Sequence, residues 1–439
     1  MASATRSGSK HITPPAWRCA ALVAVTLAAA SVFNVGSAFA GHVSCGDVIT
    51  VDTKLDSDLV DCPSDALIIR ADGVTLDLAG HTIYGDGAEF EPELFVQDRG
   101  IVVAASGVTI QNGAVYGFPT GIVAGRSQDA PNVVRGIAVG CDPIQCPPSQ
   151  EAVGIHVTGR DSNLLIDGST IINSTMGVRM AGSTNRVENS RFFGNGTAMY
   201  VTGAANVIRD NLIEDSSRFG VLLIDDAQVN LVERNSIRGG ETGIWLTREA
   251  SGSTVRHNNV RHTETGIRSD DETEDGLISG NQVANASRIG IDVAFTLNDR
   301  VVGNTVRRSA RGIVGTRATG AEIAGNRVLR SATHGIVLAE PFAPVSTRTR
   351  LSGNVVRRSG GDGILINPFV MGTVLEHNTT SQNGDDGIDV DSAQTTITRN
   401  RADHNRDLGI EAVDGVTDGG GNRARRNGNP LQCTGVVCR

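Results

Sequence analysis

The sequence predicts an all-β fold: one single-stranded right-handed parallel β-helix, a solenoid of coils of about 23 residues, following an export signal. Three observations carry this expectation. An Asn recurs at a near-constant step, a Gly followed by an aliphatic residue keeps pace with it, and 53 Gly stand against only 4% aromatic residues. A composition poor in rings and rich in small and β-branched residues suits many short strands joined by tight turns.

The Asn marker stands at Asn189, Asn211, Asn235, Asn258, Asn281, Asn304, Asn326, Asn354, Asn378, Asn400 and Asn422, in steps of 22, 24, 23, 23, 23, 22, 28, 24, 22 and 22. The Gly marker stands at Gly177, Gly220, Gly243, Gly266, Gly290, Gly312, Gly335, Gly363, Gly387 and Gly409. Two markers in phase identify a repeat. One period reads as strand and turn in alternation, with Asn230-Leu231-Val232, Asn235-Ser236-Ile237, Gly239-Gly240 and Gly243-Ile244-Trp245-Leu246 in order. Such strands are too short to pair with themselves, so each pairs in parallel with its equivalent one period later, at about 4.8 Å. An Asn stacked at one corner of every coil can bond to its neighbours as a ladder. Less regular coils precede the array at Val74 to Leu78, Gly100 to Val103, Val108 to Ile110 and Gly154 to Val157.

At the N-terminus, Arg6, Lys10 and Arg18 precede an apolar run from Ala20 to Val35, and Ala38-Phe39-Ala40 offers a small-x-small cleavage signal. Residues 1–40 therefore read as a signal peptide cleaved after Ala40, giving a secreted or periplasmic protein. No other stretch is long and apolar enough to span a membrane. Without the leader's three basic residues the net charge is about −12, and acids alternate with arginines along the chain, which argues against nucleic acid as a partner. The six remaining cysteines form three local pairs, Cys45 with Cys62, Cys141 with Cys146 and Cys433 with Cys438, expected as disulfides in an exported chain. The outer pairs suggest an N-terminal cap over 41–65 and a C-terminal cap over 431–439, with the β-helix over 66–430.

The run Cys45-Gly46-Asp47 through Cys62-Pro63, with Val74-Thr75-Leu76-Asp77-Leu78 and Gly80-His81-Thr82-Ile83, resembles the start of bacterial secreted right-handed β-helix repeat proteins. The later coils are similar to those of the pectin-lyase-like superfamily, shared by pectin lyases, polygalacturonases, alginate epimerases and the periplasmic copper-linked NosD proteins. The resemblance implies a rod that binds or processes an extracellular polysaccharide as a glycosidase, lyase or epimerase. The alternative is a non-catalytic surface scaffold of adhesin type, since these coils host many functions.

Candidate site residues follow from columns of equivalent positions. Two residues past each Gly lies an outward column in which Trp245, Arg268 and Asp292 could bind a sugar by stacking and edge hydrogen bonds. One residue before each Gly runs Thr242, Thr265, Ile289, Arg311, His334, Asp362, Asp386 and Leu408, bringing His334, Asp362 and Asp386, with Asp385 beside it, onto consecutive coils. Close carboxylates separate their pKa values and can serve as acid and base, with His334 adjusting the local charge and Asn367, Asp389 and Glu411 holding sugar hydroxyls. Gly361-Asp362-Gly363-Ile364 and Gly384-Asp385-Asp386-Gly387-Ile388 resemble the polygalacturonase motifs Asn-Thr-Asp-Gly and Gly-Asp-Asp-Cys-Ile. That resemblance implies Asp362, Asp385 and Asp386 as the carboxylates of an inverting glycosidase. It departs where the family's His-Gly should follow, since Leu408-Gly409 stands there and no Arg-Ile-Lys motif occurs.

Other chemistry is sparse. No phosphate loop, G-x-S-x-G elbow or H-E-x-x-H occurs. The four later Met and the scattered His give no copper site, and no cofactor is expected, although Asp270-Asp271-Glu272 and Asp385-Asp386 with Asp389 and Asp391 offer oxygens suited to calcium. Excursions at Asp86 to Arg99, Arg126 to Val153 and Pro341 to Pro344, with Phe90, Phe95 and Pro147-Pro148, could wall a groove.

Overall fold

Strands of three to six residues cannot stand alone, and here each gains its partners from the coil before and the coil after. The computed structural model describes residues 42–87, 98–125, 127, 130–141, 152–339 and 345–439. The signal peptide, Phe90, Phe95, Cys146, Pro147, Pro148 and Pro341 to Pro344 lie outside them. One coil runs Leu231–Glu233, Ser236–Arg238, Thr242–Leu246, and the described residues contain strands and turns with no helix. These three strands belong to three long parallel sheets, named here second, third and first.

The first sheet has sixteen strands, from Asp47–Ile49 to Ile410–Ala412. Fifteen steps of about 4.8 Å make a stack roughly 70 Å long. The other two sheets run beside it, and the long strands Thr109–Tyr116 and Asn132–Gly140 turn the corner between them and belong to both. The interior is filled by one aliphatic residue per strand, such as Ile237, Val260, Val283, Val306 and Val328 in the third sheet, all fully buried. No helix of the described residues is long and apolar enough to cross a membrane.

The corner between second and third sheets is invariant in the repeating array. It holds two residues, as in Arg234-Asn235 between Glu233 and Ser236, the first in the left-handed region and the second in the ladder. Asn304 shows the ladder chemistry. Its backbone and side-chain amides donate to Asn326 Oδ1 at 2.9 and 3.0 Å, its side chain donates to the Ile278 carbonyl at 2.8 Å, and its own Oδ1 accepts both amides of Asn281. The array begins one residue later than the spacing suggested. Ser190 donates its amide to Asn211, while Asn189 is the exposed left-handed residue. Two further ladders escaped the sequence reading, Asn185-Asn206-Asn230 at one corner and Asn383-Asn405-Asn427 at the other.

The Gly marker reflects close approach. A Cβ on Gly243 would lie 2.4 Å from Val260 Cγ1 and 2.7 Å from the Gly266 carbonyl oxygen. Ala198 takes this position in one coil, which is why the marker skips from Gly177 to Gly220. In contrast to the Asn corner, the connection from first to second sheet varies, from three residues between Ile49 and Thr53 to ten between Ala339 and Arg350.

Cys45 is bonded to Cys62 and Cys433 to Cys438, two disulfides that suit an oxidising, extracytoplasmic compartment. Cys141 is also disulfide-bonded, and its expected partner Cys146 is outside the described residues. The region expected as an N-terminal cap is itself a coil, with Asp47, Thr53 and Leu59 in register with Leu67, Leu76 and Ile83. At the other end, Cys433 and Cys438 bridge to Ile410 and Asn422, and the Gln432 side chain accepts from Asn427.

Candidate functional site

The column preceding each Gly is continuous in space. Thr242, Thr265, Ile289 and Arg311 pair in sequence, and the amides of Gly335, Gly363 and Gly387 donate to the carbonyls of Asp362, Asp386 and Leu408. His334, Asp362 and Asp386 therefore stack on successive coils, as expected. Each also bonds forward. The Asp386 amide donates to Asp362 Oδ1 at 3.0 Å, and the Leu408 amide donates to Asp386 Oδ1 at 2.6 Å. His334 Nδ1 lies 3.1 Å from Asp362 Oδ2 and 3.2 Å from the Asp362 amide nitrogen. These two contacts are alternatives: a protonated ring donates to the carboxylate, and a neutral Nδ1 accepts the amide.

The electrostatics of this edge are shifted in one direction. Burial holds the Asp386 carboxyl up at about 8, helped by a side-chain hydrogen bond with Glu411. Asp389, register partner of both Leu365 and Glu411, is pushed up to about 7 by burial and by the charges of Asp391, Asp362, Glu411 and Asp385. His334 is raised above its ordinary value, first by its hydrogen bond with Asp362. Asp362 and Asp386 are buried while Asp385 is exposed, and one oxygen from each of the three lies within 4.8 Å of the others. Three convergent carboxylates also have the oxygen chemistry that holds a hard cation such as calcium. Asn367 stands apart, beyond the far end of Ile364–Ile366 and about 16 Å along an extended chain from Asp362.

Trp245, Arg268 and Asp292 do meet on the outward face of the first sheet. Two unforeseen residues complete the cluster. Trp245 Nε1 donates to Asp270 Oδ1 at 2.7 Å, and Phe219 packs edge-on at 5.0 Å. The Arg268 guanidinium sits over the indole, 5.1 Å from its centroid, and pairs with Asp270 at 2.6 Å. The ring offered as a sugar platform thus already carries a cation on one face, and Asp270 is engaged rather than free for calcium. Alternation along the strand would have found Asp270, two residues past Arg268 on the same face. Asp292 is raised, chiefly by burial.

A family model described as right-handed beta helix region matches residues 95–260, 153–298 and 249–369. No curated protein matches the chain by sequence. Among solved structures, the periplasmic alginate epimerase AlgG is similar at 13% identity, over 78% of this chain and 76% of that one, with a TM-score of 0.53. A mannuronic acid specific polysaccharide family 6 lyase from human gut microbiota matches at 14% identity, over 68% and 82%, with a TM-score of 0.46. A tailspike protein of E. coli bacteriophage HK620, in complex with pentasaccharide, matches at 12% identity, over 90% and 74%, with a TM-score of 0.41.

Proposed function

The chain belongs to the right-handed β-helix family, and from that premise we propose that it is a polysaccharide-processing protein whose acid–base centre is the edge formed by Asp362, Asp385 and Asp386 with His334. The observation that carries this reading is a buried carboxyl, Asp386, with an oxygen within 4.8 Å of an exposed one, Asp385. Asp386, held at about 8, is the acid that protonates a glycosidic oxygen, and Asp385 is the carboxylate that accepts a proton from water or attacks the sugar. His334 positions Asp362 and tunes its charge. The likeness in fold to an alginate epimerase supports a polysaccharide as the ligand.

One observation favours a non-catalytic rod instead. Asp362 and Asp386 accept amides of the next coil much as the ladder asparagines do, so the column has an architectural use of its own. Asn substitution separates the two, because its side-chain oxygen can still accept the amide while the acid is gone. The test incubates the protein with a panel of neutral and acidic polysaccharides and records released reducing and unsaturated ends. The expected result is cleavage of at least one polymer, reduced at least 100-fold in Asp386→Asn and Asp362→Asn with the unfolding midpoint retained. Absence of cleavage on every polymer, or full activity in both variants, leaves the architectural reading.

A further inference from the structure

Along the chain acids and arginines alternate, but the coil sorts them onto different faces. On the outward face of the second sheet the arginines are paired: Arg209 with Glu188, Arg256 with Glu233, Arg300 with Glu322 and Arg350 with Glu376. The third sheet is different. It has ion pairs near its two ends, Arg191 with Glu214 and Arg401 with Asp403. Between them, seven consecutive strands from Ser236–Arg238 to Thr379–Ser381 contain no Asp or Glu at all. On this face the alternation along the chain thus resolves into arginine without acid.

Within this acid-free stretch, Arg307, Arg308, Arg327, Arg330, Arg357 and Arg358 line one groove of about 340 Å³ together with Leu329 and Gln382. All six are exposed, and none has an ion-pair partner among the described residues. Arg308, Arg330 and Arg358 sit in the left-handed region at φ of 55°, 58° and 59°, at a turn where other coils use Asn285, Gly239 or Gly194. A non-Gly residue there carries a backbone cost. Arg234 occupies a similar conformation in another turn but is clamped by Asp210 through two hydrogen bonds. Of the three groove arginines, Arg358 donates Nε to Gln382 Oε1 at 2.9 Å and none meets a carboxylate, so each keeps guanidinium N–H groups for an anion.

We infer that this face of the third sheet binds an extended anionic polysaccharide, its carboxylate or sulfate groups meeting guanidinium groups presented by successive coils. The repeat supplies a row of charge at about 4.8 Å per coil rather than one pocket, which suits a polymer over a single small anion. The groove lining contains no aromatic ring on which bases could stack, which disfavours single-stranded nucleic acid. The inference is independent of whether the carboxylate edge turns a substrate over.

The test measures binding of the full chain to immobilised heparin, polygalacturonate, neutral dextran and a 30-base-pair DNA duplex, in rising NaCl. The variant is Arg330→Asn with Arg358→Asn, since Asn is already the residue at this turn in another coil and the fold tolerates it. Arg423→Asn, on the third sheet outside the groove, is the control. Expected is salt-sensitive binding to heparin or polygalacturonate, little to dextran, at least a tenfold loss in the double variant, and none in the control. Absence of binding to both acidic glycans at low salt overturns the inference, as does equal binding by the double variant. Tighter binding to DNA than to either glycan would assign the face to nucleic acid and overturn it too.

Discussion

Replacing Asp386 with Asn should flatten the pH dependence of stability in the last coils. The Asp386 carboxyl titrates at about 8 in the folded chain against an ordinary 3.8. Below 3.8 folded and unfolded states both carry the proton, so the group costs nothing. Between 3.8 and 8 the unfolded chain has released it while the folded chain keeps it, and stability falls by about 1.4 kcal/mol per pH unit for one such group. From pH 5 to pH 7 that amounts to roughly 3 kcal/mol at most. Asp389, at about 7, adds to the same decline, but it is only partly buried and solvent screens its share. An Asn at 386 keeps an oxygen for the Leu408 amide and a donor towards Glu411 but has no proton to lose. Native-state hydrogen exchange of the amides in Ile388–Val390 and Ile410–Ala412, corrected for intrinsic rates, reads the local opening free energy at pH 5 and 7. The wild-type decline should shrink in the variant by most of Asp386's share. An equal pH slope in both proteins, or a variant clearly weaker at pH 5, would refute the account of a buried, protonated carboxyl.

Two further outcomes follow from the packing. Asn304→Ala orphans two buried donors on Asn281, each costing about 1–3 kcal/mol, and should lower the local stability of the neighbouring coils by roughly 3–5 kcal/mol in the same exchange experiment; a loss under about 1 kcal/mol would mean the ladder is replaceable by water. In Gly361→Ala the new Cβ would lie 2.8 Å from His334 Cε1, displacing the ring from Asp362. The raised His334 pKa should then fall back towards its ordinary value in an NMR titration, and an unchanged value would show that Asp362 is not its cause.

The fold was legible because its two markers have steric and hydrogen-bonding causes that recur in every coil. The Asn must accept an amide above it, and the Gly must admit the next backbone. The reading slipped where another residue meets the same need, Ser190 for Asn and Ala198 for Gly. For the candidate site, spacing placed His334, Asp362 and Asp386 together, because equal coil positions stack whatever the side chain. Spacing could not reveal that their oxygens point along the column to amides, nor that Arg268 lies over the Trp245 ring. The arginine face was hidden for a related reason. Neighbours in sequence, such as Glu322 and Arg327, end up on different faces of the coil.

The unequal corners make one long edge of the rod a seam where chain can be added. At the two-residue Asn corner an extra residue would break the ladder in both directions, whereas the connection after the first sheet already ranges from three residues to ten with the stacking above and below intact. Segments inserted along that seam would emerge on one side in single file, at multiples of about 4.8 Å. The chain is therefore a natural ruler: peptides grafted at chosen coils would be displayed in a fixed order and at fixed spacing, and lengthening one would leave its neighbours' positions unchanged.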